Sequence, residues 1–156
     1  MNPAVNGFTT VDLIAKELGY IADLKPGLVS VLIGVNDLVQ GRGLEQYRES
    51  LVEIYEAIPR QARTAAVSIP NWSLVPAARE FGDPAHLKSV TEKFNAVAMH
   101  EATARGFTWI DLTEVSSRES PSPTWIATDD LHPGDAQYAA WADAIWDVLQ
   151  DEWTKP

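Results

Sequence analysis

Asp129-Asp130-Leu131-His132, followed at once by Pro133-Gly134, sets a carboxylate three residues before an imidazole on what reads as a loop ahead of a helix. Such a carboxylate can orient the ring and stabilise its protonated form while the ring takes a proton from a hydroxyl. The pair is a base, and a base of this kind needs a nucleophile. A helix start disfavours an imidazolium, so Asp129 is what would let His132 act. The plain alternative is a surface histidine beside two capping aspartates. The other two histidines, His86 and His100, read as helix-surface residues, and no further His/Asp/Glu cluster has ligand spacing. Neither a metal nor a cofactor is expected.

Two other segments carry polar groups suited to chemistry. Gly34-Val35-Asn36-Asp37 ends an apolar run with a turn, and the Asn36 amide can donate to an oxyanion forming on a substrate carbonyl. Equally, Asn36 and Asp37 can cap the next turn through their own side chains. Asn6-Gly7 is a turn running into a helix start at Thr9 or Thr10, where free N–H groups point outward, so the Gly7 N–H is a candidate second donor. A tight turn plus an N-cap explains the same residues. Of the six tryptophans, Trp109, Trp141 and Trp146 fall in strand or helix patterns and are expected in the core. Trp72 and Trp125 fall on loops and are candidates to line a pocket.

Three short apolar runs must hold these loops in place: Leu28 to Ile33, Thr64 to Ile69 and Phe107 to Leu112 read as buried strands. Helical spacing recurs at Leu44, Tyr47, Leu51, Ile54, Tyr55 and Ile58, at Leu87, Val90, Phe94 and Val97, and at Tyr138, Trp141, Ala142, Ile145 and Leu149. An earlier helix is expected to open at Thr9 or Thr10, with Asp12 in its first turn, and to close at Gly19. Ser116 to Pro123 reads as a surface loop. Strands alternating with helices imply a parallel sheet covered on both faces, with working residues beyond the carboxyl ends of the strands. Gly34 to Asp37 and the Asp-His loop both belong near that rim.

Composition narrows the classes. The 156 residues make one domain, and a formal charge of −10 repels phosphate backbones and anionic membranes, so neither nucleic acid nor a membrane is an expected partner. There are no cysteines, hence no disulfides, thiolate metal sites or cysteine nucleophile. No transmembrane run or signal peptide is visible, which reads as a soluble, cytoplasmic chain as given.

Taken in order, these segments resemble the GDSL-type esterases, or SGNH hydrolases, over nearly the whole chain. Val5-Asn6-Gly7-Phe8-Thr9-Thr10-Val11-Asp12-Leu13 looks like the family's second block and Ile33-Gly34-Val35-Asn36-Asp37 like its third. Ser68-Ile69-Pro70-Asn71-Trp72-Ser73 resembles the loop after its next strand, and Asp129-Asp130-Leu131-His132-Pro133 matches its Asp-x-x-His block. The resemblance implies a flavodoxin-like three-layer α/β/α fold. It makes His132 the base, Asp129 its orienting partner, and Gly7 and Asn36 the oxyanion donors, acting on a small-molecule ester through a serine acyl-enzyme. The departure is the family's first block, Gly-Asp-Ser, which lies upstream of the second and is not found here. The resemblance therefore implies that the first strand or two are missing and that the serine lies before residue 1. Ser68 or Ser73 would be a substitute nucleophile, although the family's counterpart of Ser68 is structural. It also implies a sheet reduced to its last three strands, with Leu28 to Ile33 as a bare edge. Such an edge seeks a partner, and a homodimer is expected. A non-catalytic truncated homologue serving as a binding module is the alternative.

Overall fold

The computed structural model describes residues 1–118 and 122–154, the side chain of 152 excepted. Its centre is a parallel sheet of β1 (Leu28–Val31), β2 (Arg63–Val67) and β3 (Thr108–Ile110), in that spatial order. Val29 lies opposite Thr64, and Val67 opposite Ile110. β1 is an edge, as the family resemblance implies.

Before β1 come α1 (Thr10–Lys16) and α2 (Leu18–Leu24); between β1 and β2 come α3 (Val35–Val39) and α4 (Leu44–Ala57). After β2, two short 3-10 turns at Trp72–Leu74 and Pro76–Glu80 lead into α5 (Pro84–Thr103). α6 (Thr113–Ser116) and α7 (Asp135–Trp153) follow β3. Side-chain alternation along β2 sorts the helices into two layers. Ala66 faces a core built by Tyr47, Leu51 and Ile54 of α4 with Leu87, Phe94 and Ala98 of α5. Ala65 and Val67 face the other way, onto Ile110, Leu112, Val115, Trp141 and Leu149. The small side chains of Ala65 and Ala66, both fully buried, let helices approach the sheet from both sides. The expected three layers are present, built on strands shorter than the apolar runs predicted.

Local chemistry explains most boundaries. Thr9 caps α1 by accepting from the Asp12 N–H, and Asp12 answers by accepting from the Thr9 N–H, a reciprocal box at the predicted start. The predicted stop at Gly19 is wrong. α1 ends at Lys16, and α2 runs through Gly19 to a left-handed Lys25 ahead of Pro26. Packing of Leu18 and Ile21 against the core outweighs the roughly 1 kcal/mol that glycine costs a helix. On α7 the predicted apolar face is also too broad. Of the predicted positions Trp141 and Leu149 are deeply buried while Tyr138 and Ala142 are exposed, and Trp146, expected in the core, is 51% exposed. Of the loop expected at Ser116 to Pro123, residues 119–121 lie outside those described.

Asp37 fixes the carboxyl end of β1 relative to α1. It is fully buried; Oδ2 accepts from the Thr10 N–H at 2.8 Å and Oδ1 from the Thr10 hydroxyl at 2.5 Å. Arg42 Nη1 lies 3.3 Å from Oδ1 and continues the network by donating to Thr10 Oγ1, to the Gln46 carbonyl and to Ser50 Oγ. Asp37 thus caps a helix 27 residues away rather than its own turn. Just before it, Gly34 has φ +126°, and a Cβ there would lie 2.7 Å from the Tyr47 hydroxyl, which donates to the Ile33 carbonyl.

Candidate active site

Residues 124–134 form a small hairpin that carries the Asp-His pair to the rim. Ile126 bridges Pro133, the Ala127 N–H donates to the His132 carbonyl, and the Gly134 N–H donates to the Trp125 carbonyl. The strands approach so closely that a Cβ at Gly134 would lie 2.1 Å from the Thr124 carbonyl oxygen. At the tip, Asp129 Oδ1 accepts from the N–H groups of Leu131 and His132, at 3.0 and 2.9 Å, across a left-handed Asp130. The Ala77 N–H, on the second 3-10 turn, donates to the Asp130 carbonyl and ties the tip to the body.

That turn leaves Asp129 Oδ2 at 2.6 Å from His132 Nδ1. Both side chains are about half exposed, 51% and 46%, so the pair is open to solvent and to a ligand. The His132 N–H, the His132 ring and the Leu131 N–H all stabilise the anion and lower the Asp129 pKa to about 2. Asp129 is therefore an anion throughout the neutral range, fixed on the ring nitrogen it faces.

His132 opens onto a cleft of about 230 Å³, formed where the ends of β1 and β2 meet the start of α7. Asn36 lines the same cleft, so these two predicted residues are brought together. One Asn36 N–H is used to donate to the Phe8 carbonyl at 2.9 Å; the amide has a second. Gly7 does not line the cleft. It sits at φ +86° on an exposed turn, joined to Asn36 only through Phe8. Trp72 is a wall of the cleft, its indole N–H donating to Thr91 Oγ1, whereas Trp125 is held in the outer strand of the hairpin and does not line it. Ser68 and Ser73 are buried away from the cleft. Ser68 Oγ accepts from the Leu112 N–H and donates to Asp111; Ser73 donates to Asn71.

Among the described residues, no Ser, Thr, Cys, Lys, Asp or Glu lines this cleft. Its other walls are apolar, with Val35, Val39, Val75, Phe81, Tyr138 and Trp141. Sequence reasoning missed Asn71 and Gln137, both buried and both lining the cleft. Gln137 had a signal: it stands four residues before Trp141, a polar side chain on the buried stripe of α7. Asn71 had none, since its place depends on Ser116 and Ser117, whose hydroxyls bond its N–H and its amide.

A parallel sheet between two helical layers, with an Asp-oriented histidine and an asparagine in one cleft at its carboxyl rim, is the arrangement that a resemblance to SGNH hydrolases implies. Residues 1–140 match the GDSL-like lipase/acylhydrolase family model, and the chain belongs to that family. No curated protein matches it. Solved structures give the same fold. A variant of Axe2, an acetyl xylan esterase from Geobacillus stearothermophilus, superposes with a TM-score of 0.77 at 19% identity, covering 100% of this chain and 74% of that one. The lipase/acylhydrolase from Enterococcus faecalis gives 0.74 at 20% identity, with 93% and 72% covered. The family 3 carbohydrate esterase from Clostridium thermocellum gives 0.68 at 16% identity, covering 93% of this chain and 66% of that one, just under two thirds of its length.

Proposed function

We propose that these residues carry the base and oxyanion half of a site for small acyl esters, and that this chain turns such esters over weakly or not at all. The observation behind this is the 2.6 Å contact between Asp129 and His132, set in the same cleft as Asn36. In this reading Asp129 holds the ring and His132 takes a proton from the attacking group. The second Asn36 N–H receives the negative charge that builds on the carbonyl oxygen. With no serine lining the cleft among the described residues, the attacking group in this reading is water. Loss of a triad's serine typically costs many orders of magnitude and leaves a residual rate from the oxyanion donors and binding. The acetyl xylan and carbohydrate esterases among the solved structures support acetylated or similarly small esters as the ligand class. The test is p-nitrophenyl acetate hydrolysis together with fluorophosphonate labelling. Little or no turnover and no label are expected, and stoichiometric labelling would reveal a serine nucleophile and overturn the reading.

That no described residue on the cleft walls is a nucleophile of the Ser, Thr or Cys kind favours a second reading, a family member that binds an ester-like ligand without cleaving it. Tight ligand binding with zero turnover, unchanged by His132→Ala, would select it.

For assembly, we infer that two copies pair along β1. Its outer edge borders an apolar groove of about 640 Å³ lined by Leu13, Ile21, Leu24, Leu28, Val29 and Trp153, with Leu28 and Leu32 exposed. A strictly monomeric species by light scattering at micromolar concentration overturns this.

A further inference from the structure

The cleft beside His132 holds an amide that the protein itself leaves unused. Gln137, in the first turn of α7, is 4% exposed and lines the cleft, yet its side chain makes no hydrogen bond among the described residues. Among the described residues the fully buried side-chain polar atoms without a partner are Trp141 Nε1 and Trp153 Nε1, so the Gln137 amide itself reaches the open space of the cleft. The other two amides in the cleft are engaged. Asn36 donates to Phe8; Asn71 donates to Ser117 and accepts from Ser73. Gln137 alone of the three has its whole amide free, with a carbonyl to accept and an NH₂ to donate.

We propose that Gln137 is a ligand-binding residue that hydrogen-bonds an oxygen of an uncharged ester held in this cleft. This rests on the reading that the cleft takes an ester. The ligand's chemistry follows from the walls. No Lys, Arg, Asp or Glu lines the cleft among the described residues, so no permanent charge on its walls pairs with a charged ligand, and the chain's −10 charge repels an anion. Trp72, Phe81, Tyr138 and Trp141 offer aromatic surface to an apolar body. What fits is a neutral molecule, apolar over most of its surface, with an oxygen acceptor that the Gln137 NH₂ can reach. A hydroxyl near that oxygen would be met by Oε1.

A binding role and a packing role predict opposite effects on stability. Gln137→Met keeps length and volume and removes the amide. Because the amide makes no bond within the protein, the variant should keep the wild-type urea midpoint or exceed it while binding an ester less well. Benzyl acetate and toluene are the probes, titrated into the full chain and followed by amide chemical shifts of cleft residues. Wild type should bind both. In Gln137→Met the Kd for benzyl acetate should rise about 3- to 10-fold, the worth of one hydrogen bond, with toluene affinity unchanged or tighter. Gln137→Leu should repeat the pattern. Equal benzyl acetate affinity in wild type and both variants overturns the role of Gln137 alone and leaves the ester reading in place. A lowered urea midpoint with weakened toluene binding in both variants assigns the residue to packing and also overturns it. Failure of wild type to bind benzyl acetate overturns the ester reading and this inference with it.

Discussion

Two aspartates sit at the rim of this sheet, each on a tight loop, and they are put to opposite uses. Asp37 is fully buried and its carboxylate serves only the fold, spread over the Thr10 N–H, the Thr10 hydroxyl and Arg42. Asp129 is half exposed; one oxygen serves its own turn and the other holds a histidine ring that opens onto a cleft. Both carboxyl groups are ringed by donors. The lesson lies in what the donors belong to. Backbone and arginine donors in a dry interior make a carboxylate a rivet, whereas an imidazole donor at the surface makes it a handle on a group that can itself exchange protons.

Breaking the rivet should have the largest effect. Asp37→Ala leaves the Thr10 N–H and hydroxyl without their acceptor in a buried setting and takes the carboxylate from the part-exposed Arg42, and urea unfolding should show a loss of about 2–4 kcal/mol. A smaller loss with an unchanged slope would mean that the network relaxes onto water. Next come the glycines beneath each loop. Gly34→Ala must hold φ near +126° and displace the buried Tyr47 ring, so a loss of about 2–3 kcal/mol is expected. Gly134 lies at φ −88°, free of that strain, and an alanine there only forces the hairpin away from Thr124. It should cost about 1–2 kcal/mol, with amide shift changes concentrated in 124–134, so the second loop can move without unfolding the first. Equal, molecule-wide shift changes for both variants would erase the contrast.

The smallest effect on stability is expected at Asp129. Its folded pKa is lowered, so whatever it contributes is in place above the ordinary aspartate value near 3.8 and fades as pH falls through about 2. Between pH 5 and 9 Asp129→Asn should leave the unfolding midpoint near that of wild type while shifting the His132 ring resonances. A midpoint that drops at neutral pH would make Asp129 a second rivet and collapse the distinction. Carboxyl NMR titration should place the midpoint of Asp129 near 2, and a value at 3.8 would show that the three donors are not engaged in solution.

The fold was legible wherever short-range chemistry governs it. Thr9 and Asp12 announce the start of α1, and the spacing from Tyr47 to Ile58 announces α4. Gly19 misled because local propensity ignored Leu18 and Ile21, which the core recruits. Trp146 misled because a helix face read from periodicity is wider than the stripe a three-stranded sheet can cover. The site was legible in pieces: Gly7 and Trp125 lie outside the cleft that Asn36, Trp72 and His132 share, and nothing within a few residues of either distinguishes the two cases.

What the sequence determined by itself is therefore what covalent reach enforces. An Asp three residues from a His on a turn that crosses a left-handed residue stays within bonding distance of it, and the capping box and the glycine at Gly34 are equally local. Only the tertiary structure decided that Asp37 reaches 27 residues back to α1, that segments from 32 to 141 converge on one cleft, and that Gln137 is buried there with its amide unspent. Those outcomes depend on how two helical layers settle on β2, a sum of many weak packing contacts in which no single residue records the result.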